Sequence, residues 1–269
     1  MIKELLKAFE DLVYLERYPL LNGYLQKIDP RIKLFATAIL IIVIVSTLKI
    51  TPLLLLLITI ISFTIVSKIP LKNFLIRVTI FIPIFAGIIT LPLPFITPGL
   101  ILTSFSIAGF SLNLTYEGVY KMILFTFRVW LSIAYLILLI LTTKFTNMLY
   151  AMRRLKFPQI FIMLTSITYR FIFTFINESY RMILARESRI TSKQRRLDIM
   201  RDLGNIIGTL FIRAYERGER VYFAMVSRGY SGEIKSINKL KIHVRDVIFL
   251  ILTILICAVT ILLNYLMVI

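Results

Sequence analysis

Two arginines 42 positions apart, Arg186 and Arg228, stand at the ends of two helical patterns inside a basic stretch covering residues 144–246. A guanidinium is planar, permanently charged and a poor proton donor or acceptor in catalysis. Its strength is recognition, because its fork of N–H groups meets a carboxylate or phosphate with two parallel bonds. The chemistry these residues offer is therefore docking onto acidic groups. Two readings follow: a two-site socket for acidic partners, or ordinary basic residues of a membrane surface touching lipid phosphate. Gly229 follows Ser227 and Arg228 and reads as a helix C-cap, so Arg228 should project from a last turn, where a cation also suits the helix dipole.

The helices that must position these arginines are amphipathic. In the second, Phe211, Ala214, Tyr215, Gly218, Val221, Tyr222 and Met225 form an apolar stripe, while Arg213, Glu216, Arg217, Glu219 and Arg220 cover the other face. The first runs through Phe171, Phe175, Tyr180, Ile183 and Leu184 into Ala185-Arg186-Glu187-Ser188-Arg189. Residues 160–176 of that pattern are apolar except for Arg170, and read as an interfacial or part-buried helix, with a sixth membrane span as the alternative.

The rest of the chain belongs to a bilayer. Of 269 residues 58% are hydrophobic and 17% charged, with mean hydropathy +0.86, outside the range of soluble domains. Apolar runs at 34–48, 53–66, 74–91, 118–141 and 247–269 predict five spans, the first two short and nearly fused. The fold class is an all-α polytopic membrane protein. Its expected organisation is an N-terminal amphipathic segment (1–33), four spans (34–143), a cytoplasmic region of long amphipathic helices (144–246) and a C-terminal span (247–269). Ile2, Leu5, Leu6, Phe9, Leu12 and Val13 recur at helical spacing and suggest that the first segment lies along the membrane.

Orientation follows from the short loops. Residues 144–246 hold 20 Lys/Arg against 8 Asp/Glu, Arg31 and Lys33 precede the first span, and 92–116 holds no Lys or Arg. The N-terminus and the basic region should be cytoplasmic and the C-terminus outside. This lipid-facing asymmetry accounts for the net charge of +18, so nucleic acid is not an expected partner. Pro83 should kink the third span, and Pro92, Pro94 and Pro98 should keep the outer loop non-helical. Arg77 and Lys121 lie near span ends, where snorkelling satisfies them; Arg128 lies deeper, and a partner within the bundle is expected.

In order along the chain come Asp29-Pro30-Arg31 with Lys33 and Leu34, then Tyr169-Arg170-Phe171, Glu178 and Arg181 before Ala185-Arg186. Glu219-Arg220-Val221-Tyr222 then leads into Ala224-Met225 and Arg228-Gly229-Tyr230. This succession resembles the transmembrane T component of energy-coupling-factor transporters, and most nearly the cobalt-type Q subunit. The resemblance implies a non-catalytic membrane scaffold whose coupling helices sit on two ATP-binding-cassette subunits and cradle a separate substrate-binding membrane subunit. It implies that Arg186 and Arg228, within Ala185-Arg186 and Ser227-Arg228-Gly229, each enter a groove of one ATPase. Arg189 is the alternative first contact, since Glu187 stands where many members carry Gly. On the same basis Phe211, Tyr215, Tyr222 and Met225 are the contact with the substrate-binding subunit, and cobalt, before nickel, is the cargo.

The residue inventory excludes other roles. No G-x-x-x-x-G-K-[S/T] motif occurs, so ATP would be bound by partners and no cofactor is expected in this chain. One histidine, His243, and one cysteine, Cys257, give no soft or imidazole-rich metal site. The spans carry no paired carboxylates or histidine cluster for enzymatic work. The remaining alternative is a self-sufficient secondary transporter or channel, with Arg128 and the proline-broken segments lining a path.

Overall fold

A computed structural model describes residues 18–21, 23–79, 82–107, 110–155, 157–190, 195–232 and 242–266. The expected N-terminal surface helix falls at 1–17, outside the described residues. The chain divides into two compact units, one built on residues 17–148 and 240–269, the other on 149–239.

The first unit is an apolar helical bundle. Helix α1 (Pro30–Ser46) starts where Asp29 accepts a hydrogen bond from the Arg31 amide at 2.9 Å, with Pro30 at a position that needs no donor. After three residues comes α2 (Ile50–Val66). Among the described residues the expected third span comprises α3 (Leu71–Thr79) and α4 (Ile82–Thr90), and the kink expected at Pro83 adjoins residues 80–81, outside the described residues.

Residues 92–115 depart from expectation. Instead of wholly non-helical loop they hold a one-turn helix, α5 (Leu93–Ile96), and an antiparallel hairpin of β1 (Ile101–Ile107) and β2 (Phe110–Thr115). Prolines 92 and 94 stand at the N-cap and second position of α5, places that tolerate them. The hairpin sequence alternates apolar residues with Ser, Thr and Asn at period two, a strand pattern that the search for longer apolar runs passed over. Gly118 is required here: a Cβ would fall 2.5 Å from Pro94 Cα.

Helix α6 (Tyr116–Thr142) is the hub, packing on α1, α2, α3, α4 and α5. Leu131 and Tyr135 of α6 are buried with Leu40 and Ile44 of α1 and Leu53, Leu56 and Ile60 of α2. The Tyr135 hydroxyl donates to the Leu56 carbonyl at 2.9 Å. Helix α10 (Val244–Leu266) packs on α1 and α2. It runs parallel to α1 and is pinned at both ends: Asp246 Oδ1 accepts from the Asp29 amide at 2.8 Å, and Asn264 Oδ1 from the Leu48 amide at 2.9 Å. Asp246 also accepts from the His243 amide at 2.7 Å, capping its own helix. Lys33 donates to the Thr142 carbonyl at 3.0 Å, so α6 ends where α1 and α10 begin.

Outward faces stay apolar. Ile42, Val45, Ile58, Ile65, Leu255 and Leu262 are all roughly half or more exposed, a surface that water would not tolerate and lipid tails cover. Helices α6, α10 and α8 (Gln159–Glu187) are long and apolar enough to cross a membrane. Arg77 lies 5.5 Å over the Tyr18 ring. Among the described residues the Arg128 Nε and Nη2, and the Ser132 hydroxyl one turn on, are buried with no hydrogen-bond partner.

The second unit is dominated by α8 and α9 (Arg196–Ser227), preceded by α7 (Phe145–Arg154), which begins in the first unit. Helix α9 has no buried residue, the mark of a surface element rather than a core one.

Candidate functional site

Helices α8 and α9 lie antiparallel, and their side chains record the register. Near the C-terminus of α8, Arg186 Nε donates to Asp202 Oδ2 at 3.0 Å. At the middle, Glu178 accepts from Arg213 at 2.9 Å and from Arg217 at 3.2 Å, while the Arg217 guanidinium lies 5.8 Å over the Phe175 ring. Beyond the end of α9 the Tyr230 hydroxyl donates to Met163 Sδ at 2.7 Å. Met163 to Arg186 is 23 residues of continuous helix, so the two arginine motifs are about 35 Å apart at opposite ends of the pair.

The Arg228 end is shaped by a Schellman turn. The Gly229 amide donates to the Val226 carbonyl at 2.9 Å and the Tyr230 amide to the Met225 carbonyl at 3.0 Å, with Gly229 at φ +81°. Arg228 is the C-cap and is exposed. Ser227 turns its hydroxyl back onto the Phe223 carbonyl at 2.9 Å, leaving Arg228 as the outward polar group of the motif. An open cleft of about 750 Å³ lies beside it, floored by Phe171, Val221 and Met225 and bordered by Arg170, Arg228 and Tyr230.

The Arg186 end is built differently. No glycine ends α8: the Ser188 amide reaches the Leu184 carbonyl at 3.0 Å and the Arg189 amide the Arg186 carbonyl at 3.0 Å, extending the helix by a tight turn. Ala185, Arg186 and Arg189 line a groove of about 500 Å³ with Asp202 and Asn205. The Arg186 side chain is 13% exposed and tied to Asp202, whereas Arg189 is exposed.

The apolar stripe of α9 is divided by this packing. Ala214, Arg217, Val221 and Met225 are half-buried, and Val221 and Met225 face α8 across the cleft. Phe211, Tyr215 and Tyr222 are 72%, 63% and 58% exposed, with no covering element among the described residues of their unit. The four residues expected to share one contact thus separate, with Met225 in the helix-pair seam. Sequence reasoning missed Asp202 as the partner of Arg186 and Arg170 as a neighbour of Arg228. Glu178 carried a signal, being one of only two carboxylates in α8.

Fold and site together define a polytopic membrane protein that carries an antiparallel helix pair with an arginine-bearing groove at each end. The profile of the CbiQ family, described as cobalt transport protein, matches residues 22–240. The chain is 36% identical over 267 residues to an uncharacterized protein of Methanocaldococcus jannaschii, covering 97% of this chain and 90% of that one. It is 33% identical over 226 residues to the energy-coupling factor transporter transmembrane protein EcfT of Ruminiclostridium cellulolyticum, covering 78% and 81%. With the cobalt transport protein CbiQ of Rhodobacter capsulatus it shares 27% over 153 residues, 57% and 62% of the two chains. The chain belongs to the CbiQ family, as a cobalt-type T component of an energy-coupling-factor transporter. Such proteins are membrane subunits that work with ATPase partners.

Proposed function

We propose that this chain is the coupling scaffold of its transporter: α8 and α9 rest on two ATP-binding-cassette subunits, one at each arginine end, and pass their closure to a separate substrate-binding membrane subunit. The observation that carries the reading is the placement of Arg186 and Arg228 at opposite ends of one helix pair, about 35 Å apart. Two ATPases approaching one another would press on both ends at once, and a stiff pair converts that approach into rotation of whatever lies on its open face. Phe211, Tyr215 and Tyr222 form that open face and take the substrate-binding subunit. At the first end Arg189, exposed beside Arg186, is the second contact with the ATPase.

Charges along α9, among them Arg201, Arg213, Glu216, Arg217, Glu219 and Arg220, argue that the helix pair lies outside hydrocarbon. Because α8 stays beside α9 from Met163 to Arg186, it belongs with it at the cytoplasmic face rather than as a sixth span. The parallel α1 and α10 put both helix starts on one side, which supports a reading with that side inside and the C-terminus outside. Cobalt is the proposed cargo, in line with the names of the cobalt transport relatives, and the substrate-binding subunit would hold it.

The test is purification of the tagged chain from its native membrane, with mass spectrometry, ATPase and cobalt-uptake assays, beside the Arg186→Ala/Arg228→Ala double variant. Recovery of ATP-binding-cassette subunits and a small membrane protein, lost or uncoupled in the double variant, supports the scaffold. Full uptake with complete assembly in that variant sinks it.

A further inference from the structure

The two ends of the helix pair are electrostatically unequal. At one end Arg186 is already neutralised by Asp202 at 3.0 Å. At the other, none of the described residues that line the cleft is acidic, and among the described residues neither Arg170 nor Arg228 makes an ion pair. Both guanidiniums are exposed at the rim, and Arg170 lies 5.7 Å from the Phe171 ring centre, which braces its stem over the apolar floor. Two like charges bordering one cleft repel unless an anion comes between them. The surface is thus suited to an acidic occupant.

We propose that Arg170 and Arg228 form a single two-cation seat for a pair of acidic side chains on one ATP-binding-cassette subunit, with Phe171, Val221 and Met225 receiving an apolar residue beside them. This rests on the coupling reading and adds to it a second contact residue, from the other helix of the pair. The consequence is a directional preference: the subunit seated on Arg228 binds across both α8 and α9, whereas the one at Arg186 meets a cation that must first exchange Asp202. Held by both helices, the seat also resists their sliding past one another. An acidic partner suits it better than lipid phosphate, because Phe171, Val221 and Met225 line the same cleft as the two cations and can receive an apolar side chain beside the carboxylates.

The experiment uses the intact complex in detergent, immobilised through this chain, and measures ATPase-subunit retention over a salt series for Arg170→Ala, Arg170→Lys, Arg228→Ala and the Arg170→Ala/Arg228→Ala pair. Each single alanine variant is expected to lower the retention affinity about tenfold, the scale of one charge pair of about 1.4 kcal/mol. The double variant should lose less than the product of the two, because both cations serve the same carboxylates. Lysine at 170 should restore part of the loss. Loss with Arg228→Ala but wild-type retention with Arg170→Ala overturns the seat and leaves the coupling reading standing. Wild-type retention in the double variant overturns the seat and the docking role of Arg228 together. Size-exclusion profiles identical to wild type confirm that each variant is folded, and the Lys variant tests the seat even where Ala is poorly expressed.

Discussion

Asp202 holds Arg186: the guanidinium Nε donates to the carboxylate at 3.0 Å, joining the C-terminus of α8 to the first turns of α9. Asp202 is 36% exposed, so solvent screens the pair and its contribution to stability is about 1 kcal/mol or less. Asp202→Asn should therefore leave thermal unfolding of the purified chain nearly unchanged. It should also free Arg186 for a partner, raising ATPase retention in low salt, whereas Arg186→Ala lowers it. Weaker retention in Asp202→Asn would show that Asp202 orients Arg186 instead of competing for it.

Glu178 sits at the centre of the pair and accepts from Arg213 and Arg217, the latter also against Phe175. Glu178→Ala removes the shared acceptor of two cations and leaves them to repel. The expected outcome is a split: ATPase subunits still co-purify, because both ends are intact, but cobalt uptake per ATP hydrolysed falls several-fold. Glu178→Asp should recover less than half of the loss if reach to both arginines matters. Unchanged coupling would remove the central clamp from the mechanism.

Asp246 is 1% exposed and accepts from two backbone amides, those of Asp29 and His243. Deleting the carboxylate leaves the buried Asp29 amide without its acceptor and uncaps the His243 amide, at about 1–3 kcal/mol. Asp246→Ala should lower the unfolding temperature of the detergent-solubilised chain by several degrees and reduce membrane yield. Asp246→Asn keeps one acceptor and should cost less. Equal stability of the alanine variant and wild type would mean that water replaces the carboxylate.

Two glycines should respond differently to a methyl group. Gly229 needs its positive φ but has open space around it, so Gly229→Ala should cost about 1 kcal/mol and weaken retention by tilting Arg228. Gly118→Ala drives a Cβ to 2.5 Å from Pro94 Cα and 2.7 Å from the Leu93 carbonyl oxygen, backbone that cannot swing aside. Expression of the folded chain should fall sharply for Gly118→Ala and stay near wild type for Gly229→Ala, read by fluorescence-detected size exclusion. The reverse ranking would contradict the packing of α6 on α5.

Sequence pattern was enough to find α1, α2, α6 and α10, because a helix in lipid must be apolar over its length and little else in a chain is. Gly229 likewise announced its turn, since few other residues accept that backbone conformation. The β-hairpin was not seen because its alternation is short and polar on one side. What sequence spacing does not carry is pairing: the Asp29–Asp246 bond joins residues 217 apart, and nothing local to either names the other. For the same reason Arg186 and Arg228 were legible as motif ends, but Asp202 and Arg170, supplied by the opposite helix, were not. Met225 belonged by periodicity with Tyr222, yet three residues leave it about 60° away around α9, turned toward α8.

The parallel clasp of α10 along α1 also imposes an order on biogenesis. Helix α1 leaves the ribosome some 200 residues ahead of the partner that satisfies the Asp29 amide at one end and the Leu48 amide at the other. Throughout that interval the inserting bundle has an open flank at α1 and α2, and a membrane chaperone or a lipid must stand in for α10. A nascent chain cut short anywhere before α10 is consequently marked by the same open flank, which gives membrane quality control a surface by which to tell the unfinished chain from the finished one.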